Sequence, residues 1–345
     1  MADFVHLHNH SEFSLLDGLS KIPEMVARAK ELGMTALAIT DHGSLYGAFK
    51  FYNACREEGI KPIIGSEMYV AKRSHLDKEA NLDGDQNHII LLAKNNRGYK
   101  NLMKLSTIAH LEGFYYKPRI DLELLQKYRE GLICLTACLN GYVSEPLIKG
   151  EEKEAEKRAK LLLEIFGEDF YLELQKHPNI NEQDVLNEKL VAMSAELGIP
   201  LVATNDCHYI GRDDAKAQEI LLCIQTQTTI LTENRKLSMI SSPDFYLRSP
   251  AEMAGLFIQY PHAIENTIKI AEKVHIDIET GNWIIPKFKV PHEKSPEEHL
   301  RDLVFSNLKD RYPNPTKEIE DRIDYELSVI LKKGYTTYFL IVEDL

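Results

Sequence analysis

What the chain lacks narrows its class. No apolar run approaches the roughly 20 residues that a membrane-spanning helix needs, and its 345 residues hold no low-complexity tract. The start has no basic stretch followed by a long apolar core. No secretory signal is therefore expected, and a cytoplasmic protein without membrane partners is. A basic excess is also missing. The formal net charge is −12, which argues against non-specific binding of duplex nucleic acid. A site that grips phosphate through metal ions is not excluded, because its field is local. Cysteines are few and odd in number, at Cys55, Cys134, Cys138, Cys207 and Cys223. Scattered in this way, they suit buried thiols or metal ligands and not a disulfide framework.

What is present is a repeat of strand and helix signals. Apolar, β-branched runs occur at 4–8, 35–39, 61–70, 88–93, 132–136, 170–174 and 200–203. Helical patterns follow most of them, near 46–58, 99–110, 151–166, 182–197 and 213–225. The first helix has the clearest signals: Ser20 as its cap, Pro23 in its first turn, Met25, Val26, Ala29 and Leu32 at helical spacing, and Gly33 as its stop. Alternating strands and helices predict an α/β fold with a mostly parallel sheet. Candidate ligands lie in both the first and the last unit. Closure into a seven-stranded (β/α)7 barrel would bring all strand ends to one mouth. The polar stretch 73–87 is expected to be a long surface loop.

Past Thr226 the pattern changes. Residues 226–250 look irregular and 251–275 helical. The stretch 281–296 carries Pro286, Pro291 and Pro296 and suits a linker. Two charged amphipathic helices are expected at 297–311 and 317–332. We expect a domain over 1–275 and a small, mostly helical segment over 276–345. Because the sequence stops so soon after the start of the apolar run 338–342, a piece of a longer protein is expected.

Side chains that bind metal gather at the ends of the strand-like runs. His6, His8 and His10 alternate, so a regular strand would point them the same way. His8 and His10 lie at its end, where two imidazoles can share an ion; His6 sits deeper. Asp17, in the turn Leu16-Asp17-Gly18, offers a hard oxygen. In Thr40-Asp41-His42-Gly43, Asp41 is expected to orient an imidazole from behind. Glu67 stands in the apolar stretch 63–70, where it must be edge-exposed or paired inside. Cys138 ends its run, while Cys134 lies mid-strand and suits packing. No second pair completes a structural zinc motif with them. Asp206 and His208 echo the first motif, with Cys207 facing away. His88 opens its run instead of closing it, so on spacing alone it is a surface or core residue. His177 follows a strand end, where it can touch a substrate phosphate or simply be solvated. His75, His110, His262, His275, His292 and His299 are expected at the surface.

Charge supports a multinuclear site. Asp17, Glu67, Asp206 and a Cys138 thiolate bring four negative charges, which would repel one another without cations. Three divalent ions would leave an excess of two positive charges, suited to a phosphodiester and its hydroxide nucleophile. Mixed nitrogen, oxygen and sulfur donors suit Zn²⁺, Mn²⁺ or Fe²⁺, and a thiolate disfavours Mg²⁺.

Several motifs together carry a family resemblance. They are His6-Leu7-His8-Asn9-His10-Ser11-Glu12-Phe13-Ser14-Leu15-Leu16-Asp17-Gly18, Ala38-Ile39-Thr40-Asp41-His42-Gly43 and Gly59-Ile60-Lys61-Pro62-Ile63-Ile64-Gly65. To these add Leu91-Leu92-Ala93-Lys94-Asn95, Glu112-Gly113-Phe114-Tyr115-Tyr116-Lys117-Pro118-Arg119-Ile120-Asp121, Ala203-Thr204-Asn205-Asp206 and Phe245-Tyr246-Leu247. The chain resembles the N-terminal region of the bacterial C-family replicative polymerases, the polymerase III alpha family, which begins with a polymerase-and-histidinol-phosphatase (PHP) domain. The resemblance implies a distorted PHP barrel with up to three metal ions. It implies nine ligands, at His8, His10, Asp17, His42, Glu67, His88, Cys138, Asp206 and His208, and so adds His88 to those that spacing selects. Residues 326–344 resemble the entry to the polymerase palm, with Glu343 replacing the usual aromatic.

The family further implies a nucleotidyltransferase parent, with this stretch unable to polymerise. A 3′–5′ exonuclease acting on a DNA primer 3′ end is the expected activity, with Asp17, Asp206 and His208 catalytic and His6, Asp41 and His177 behind the ligands. The alternative is a metal-stabilised docking module without catalysis of its own. A phosphomonoesterase of the histidinol phosphatase kind fits the palm-like tail poorly. Expected partners are the rest of the alpha subunit, a separate proofreading subunit and the sliding clamp.

Overall fold

The apolar runs fold as strands with one reversal of direction, and that reversal decides where the site lies. The computed structural model describes residues 3–235, 237–282, 286–291 and 294–345. These form two compact units, Met1–Ile278 and Glu279–Leu345. In the first, the strands are β1 (Ala36–Ile39), β2 (Lys61–Ala71), β3 (Gln86–Ala93), β4 (Phe114–Tyr115), β5 (Lys117–Ile120), β6 (Leu132–Leu135), β7 (Phe170–Gln175) and β8 (Leu201–Thr204). The helices between them are α1 (Ile22–Glu31), α2 (Ala48–Glu58), α3 (Asn96–Leu111), α4 (Leu122–Tyr128), α5 (Ser144–Ile148), α6 (Glu152–Phe166) and α7 (Asn181–Leu197). After β8 come α8 (Ala215–Thr226), α9 (Pro250–Leu256) and α10 (Pro261–Lys273).

The sheet is mostly parallel, as the alternation suggested, but one strand of the ring is reversed and makes it mixed. β1 pairs with β2, β6 with β7 and β7 with β8 in parallel. β3 runs antiparallel to both β2 and β6. The expected first strand, 4–8, forms no regular ladder. It still closes the ring as a seventh stave. Ala38 N donates to His6 O and Thr40 N to Asn9 O on one side; Cys207 N donates to His8 O and His10 N to Cys207 O on the other. On the edge away from β3, the long β2 serves two neighbours, β1 along its first half and β5 at Tyr69–Val70. The β4–β5 hairpin, absent from the sequence expectation, therefore stands beside the upper half of β2.

Strand periodicity sorts side chains between two cores. Alternate residues fill the barrel interior: Val5, Leu7, Ala36, Ala38, Ile63, Ile90, Leu92, Ile133, Leu135, Tyr171 and Val202, with Ile270, Ala271 and Val274 packed against them. The other face packs on the helices. Ile22, Met25, Val26 and Ala29 of α1 meet Leu37 and Ile39 of β1, and such burial is worth roughly 1.5–3 kcal/mol per large side chain. Ser20 does not cap α1, whose N-cap position is Lys21. The Glu12 carboxylate instead accepts from Ile22 N at 2.8 Å, because the chain before the helix folds back on it.

The loop 73–87 is pinned more tightly than its polar composition suggested. The buried Arg119 guanidinium donates to the carbonyls of His75, Asp77, Asp83 and Gly113. His75 is accordingly buried against Asp121 at 2.5 Å, not at the surface.

In the second unit, α11 (Pro296–Ser306), α12 (Leu308–Arg311), α13 (Lys317–Lys333) and α14 (Thr336–Asp344) gather around Leu300, Leu327 and Leu340. Ser295 and Glu298 form a capping box with Pro296 in the first turn. His292, Glu293 and residues 283–285 of the expected linker lie outside the described residues. No described helix is long and apolar enough to cross a membrane.

Candidate metal centre

The interior face of the barrel changes from apolar to ionisable at one end. On β2 the face that carries Ile63 carries Glu67 four residues on. On β7 the face of Tyr171 carries Glu173, and beyond β8 the alternation from Val202 reaches Asp206. On β3 the face of Ile90 and Leu92 carries His88. Because β3 runs the other way, its first residues lie at the mouth, which explains why His88 opens its run. The backbone of His88 is tied to the loop after β6: His88 N donates to Asn140 O and Tyr142 N to His88 O. Cys138 is thereby brought beside it. Leu16, Ala137 and Asp206 are left-handed, with φ of 62°, 61° and 48°, at or next to Asp17, Cys138 and Asp206. Such conformations cost non-glycine residues roughly 1–3 kcal/mol, and here each turns the chain to aim a donor inward.

Nine side chains meet. His8 Nε2 lies 3.1 Å from Asp206 Oδ1 and 3.5 Å from Glu67 Oε2. His10 Nε2 lies 3.2 Å from each of the same two oxygens. His42 Nδ1 is 2.8 Å from Glu67 Oε2, and its Nε2 is 3.0 Å from Asp17 Oδ2. His88 Nδ1 is 2.6 Å from Glu67 Oε1 and 3.7 Å from Cys138 Sγ. His208 Nε2 is 3.8 Å from Asp17 Oδ1. Within this set, His8/His10/Asp206, His10/His42/His208 and Glu67/His88/Cys138 each converge tightly enough to surround an ion.

Contact distance without hydrogen-bond geometry distinguishes this cluster. His8 Nε2, His10 Nε2, Asp17 Oδ1, His42 Nδ1, Glu67 Oε2 and Asp206 Oδ1 are all buried with no hydrogen-bond partner. Leaving so many polar atoms unpaired is costly, at about 1–3 kcal/mol each and more when charged. Metal bonds of about 2.0–2.2 Å at ordinary coordination angles place neighbouring donors roughly 2.8–3.6 Å apart. Most spacings here match that interval; the exceptions are the short His88–Glu67 contact at 2.6 Å and the longer His88–Cys138 and His208–Asp17 separations at 3.7 and 3.8 Å. The donor set thus fits divalent ions.

The back sides of the imidazoles are held differently. His8 Nδ1 bonds to Glu173 Oε1 at 2.7 Å, and Glu173 also accepts from Thr204 Oγ1, Gln175 Nε2 and Ala137 N. His10 Nδ1 bonds to Ser14 Oγ at 2.9 Å, and Ser14 Oγ donates to Asp41 Oδ1. Asp41 also accepts from Ser11 N and Ser11 Oγ. It therefore stands behind His10, one hydroxyl removed. His208 Nδ1 bonds to the Asp206 carbonyl at 2.9 Å. Such contacts fix tautomer and ring orientation. Glu173 and Ser14 were not singled out from sequence. Glu173 did carry the signal that marked Glu67, a carboxylate inside an apolar strand.

His6 is not part of the cluster. Without a regular strand the alternation fails, and its Nε2 bonds to Arg248 O while its Nδ1 faces Cys207 Sγ at 3.5 Å. Cys207 thus faces away from the cluster, as expected. His177 is buried rather than solvated. It stacks on Phe245 at 4.0 Å, and neither ring nitrogen has a hydrogen-bond partner. Burial lowers the pKa of each to about 4.

The field within the site is strongly coupled. Burial opposes charge on His8, yet Asp206 and Glu173 outweigh it and raise its pKa well above the ordinary value. His42 is raised against burial by Tyr69, Glu67 and Asp17. Burial likewise opposes ionisation of Glu67, Asp17 and Asp206, but the surrounding imidazoles hold all three below the carboxylate range. Burial, with Glu67 and Asp206 adding to it, pushes the Cys138 thiol well up. A cation entering the cluster would displace imidazole and thiol protons, so occupancy strengthens as pH rises.

The cluster opens to solvent through a cleft of about 190 Å³ bordered by Asp17, His42, Tyr69, His110 and Lys117. A larger cavity of about 820 Å³, bordered by Thr35, Lys61 and Asn96, lies at the starts of β1 and β2. It is at the other end of the barrel, away from the ionisable cluster.

Residues 6–177 match the PHP domain family, and residues 298–345 match the bacterial DNA polymerase III alpha NTPase domain. DNA polymerase III subunit alpha of Borreliella burgdorferi is 48% identical over 344 residues, covering 99% of this chain and 30% of that protein. The same subunit of Treponema pallidum is 46% identical over 344 residues, covering 99% and 29%. A solved two-domain protein of Bacteroides vulgatus containing a predicted PHP-like metal-dependent phosphoesterase aligns with a TM-score of 0.33 at 14% identity, covering 60% of this chain and 52% of that one. That likeness is too distant to bear on function. The chain spans about 30% of the length of the curated relatives it matches, and it belongs to the bacterial DNA polymerase III alpha family, with a PHP domain in its first unit.

Proposed function

We propose that the first unit is a metal-dependent phosphodiesterase acting on the 3′ end of single-stranded DNA, a 3′–5′ exonuclease attached to a DNA-directed DNA polymerase. The supporting observation is the set of six buried ligand atoms that crowd one another without a hydrogen-bond partner. In this proposal His8, His10, Asp17, His42, Glu67, His88, Cys138, Asp206 and His208 hold up to three Zn²⁺, Mn²⁺ or Fe²⁺ ions. Bound ions would neutralise charge at the phosphate and make a water more acidic. The chain's own groups do the rest. Glu173 and Ser14 lock the rings of His8 and His10. Asp17 and His42 border the solvent cleft, so the scissile phosphate enters there. Asp17, Asp206 and His208 orient the attacking water opposite the leaving 3′-terminal nucleotide. The remainder of the alpha subunit, a separate proofreading subunit and the sliding clamp are proposed as partners on family grounds.

The test is release of mononucleotides from a 3′-mismatched primer with Mn²⁺ or Zn²⁺. Asp206→Asn should abolish it, and equal rates for variant and parent would sink the proposal. A second reading is a docking module tied together by ions, favoured by the origin of the donors in staves all round the ring. Under that reading a chelator lowers the melting temperature, while the primer stays intact with every metal tried.

A further inference from the structure

The rim of the cleft carries rings that an ordinary soluble surface would not expose. Tyr46 is 61% exposed and Phe114 is 51% exposed. Between them lies His110, with ring centroids 6.1 Å from Tyr46 and 6.5 Å from Phe114. The sequence suggested His110 to be a plain surface residue. Instead its Nε2 bonds to the Gly43 carbonyl at 3.0 Å, next to His42. The three rings therefore form a row fixed to the strand exit that carries a proposed ligand. At the far end the β4–β5 hairpin is anchored by the buried Arg119. Lys117, from the same hairpin, stands 5.4 Å above the Tyr69 ring, and Tyr69 stacks on His42 at 6.0 Å. Among the described residues no carboxylate pairs with Lys117. An unpaired cation beside this cluster, in a chain of net charge −12, complements a polyanion. The cleft itself, about 190 Å³, is smaller than the roughly 300–1,000 Å³ of ordinary small-molecule pockets. A cleft of that size is too small for a paired duplex end.

We propose that Tyr46, His110, Phe114 and Lys117 form a binding platform for the last nucleotides of single-stranded DNA. Bases stack on Tyr46 and Phe114, a backbone phosphate meets Lys117, and the terminal phosphodiester reaches Asp17 and His42. This rests on the phosphodiesterase proposal for its direction of travel, but its measurement does not. Base–aromatic stacking tolerates any base, so the platform selects unpaired strands and not a sequence.

The probe is a short oligothymidylate, labelled at its 5′ end and carrying phosphorothioate linkages at its 3′ end. Fluorescence anisotropy then gives affinity whether or not the full chain hydrolyses DNA. Tyr46→Ala and Phe114→Ala should each weaken binding about tenfold, the lower part of the range for one stacked base. Lys117→Gln should weaken it less and lower the salt dependence by about one ion. Tyr46→Trp and Phe114→Trp keep a ring and should retain affinity, which separates lost stacking from lost folding. Tyr325→Ala, an exposed ring of the second unit, should change nothing. A blunt duplex should compete at least tenfold more weakly. Unchanged affinity in both alanine variants, equal competition by the duplex, or no binding by the parent chain overturns the platform. A parent chain that binds but never cuts overturns the phosphodiesterase proposal alone.

Discussion

β2 and β7 each carry one glutamate within an apolar run, buried to the same 1% exposure, yet the two have opposite surroundings. Glu173 accepts well-formed hydrogen bonds from an imidazole, an amide side chain, a hydroxyl and a backbone N–H. Glu67 has three imidazoles within 2.6–3.2 Å and none in hydrogen-bond geometry. Burial alone therefore does not separate a supporting carboxylate from a proposed ligand. Satisfaction does: the first is complete as it stands, and the second is arranged for something it does not yet touch.

The sharpest way to break this contrast is to neutralise each carboxylate. Glu67→Gln should remove at least one ion per chain by elemental analysis and slow primer hydrolysis by about 10²–10³-fold, given the several kcal/mol an ion contributes. Glu173→Gln should keep the stoichiometry but weaken metal affinity by about 10–100-fold. Equal effects would erase the distinction. Chelation tests the same point through stability. If the Glu67 side is completed by ions, removing them should cost about 3 kcal/mol, or roughly 5–10 °C of melting temperature.

His177 extends the contrast to a group buried neutral. Its pKa falls from 6.5 to about 4 on folding, so above pH 6.5 neither state is protonated and its burial carries no charge penalty. Between pH 6.5 and 4 the unfolded chain takes the proton first, and stability falls as pH falls, by roughly 3 kcal/mol at most. Urea midpoints at pH 7 and 4.5 should therefore converge in His177→Phe relative to the parent; parallel losses would count against this account. The smallest effect concerns backbone. Gly43 has φ of 57°, and a Cβ there would lie 2.7 Å from Pro118. Gly43→Ala should cost about 1–2 kcal/mol, visible as a lower melting temperature with Glu67 and Glu173 untouched.

Long periodic elements were legible in the sequence. The runs that became β1, β2, β3, β6, β7 and β8 stand out because each strand is apolar on both faces and bounded by turns. What could not be read was direction and partnership. Nothing local says that β3 runs backwards, which is why His88 looked misplaced until the ring was seen. The β4–β5 hairpin is too short to show alternation. Residues 4–10 have the composition of a strand but bridge two neighbours irregularly, and His6 turns away for that reason. Glu173 was visible in principle, since an acid in such a run needs a partner. Its partner, His8, lies 165 residues away.

The way the ring closes has a consequence for biogenesis. Its last seam joins the first ten residues to Cys207 and the Asp206–His208 turn. A ribosome adding about 5–20 residues per second leaves His8 and His10 waiting some ten to forty seconds before their opposite wall emerges. Nascent chains must keep that opening segment accessible throughout, and a pause before residue 208 would prolong its exposure while sparing everything already folded.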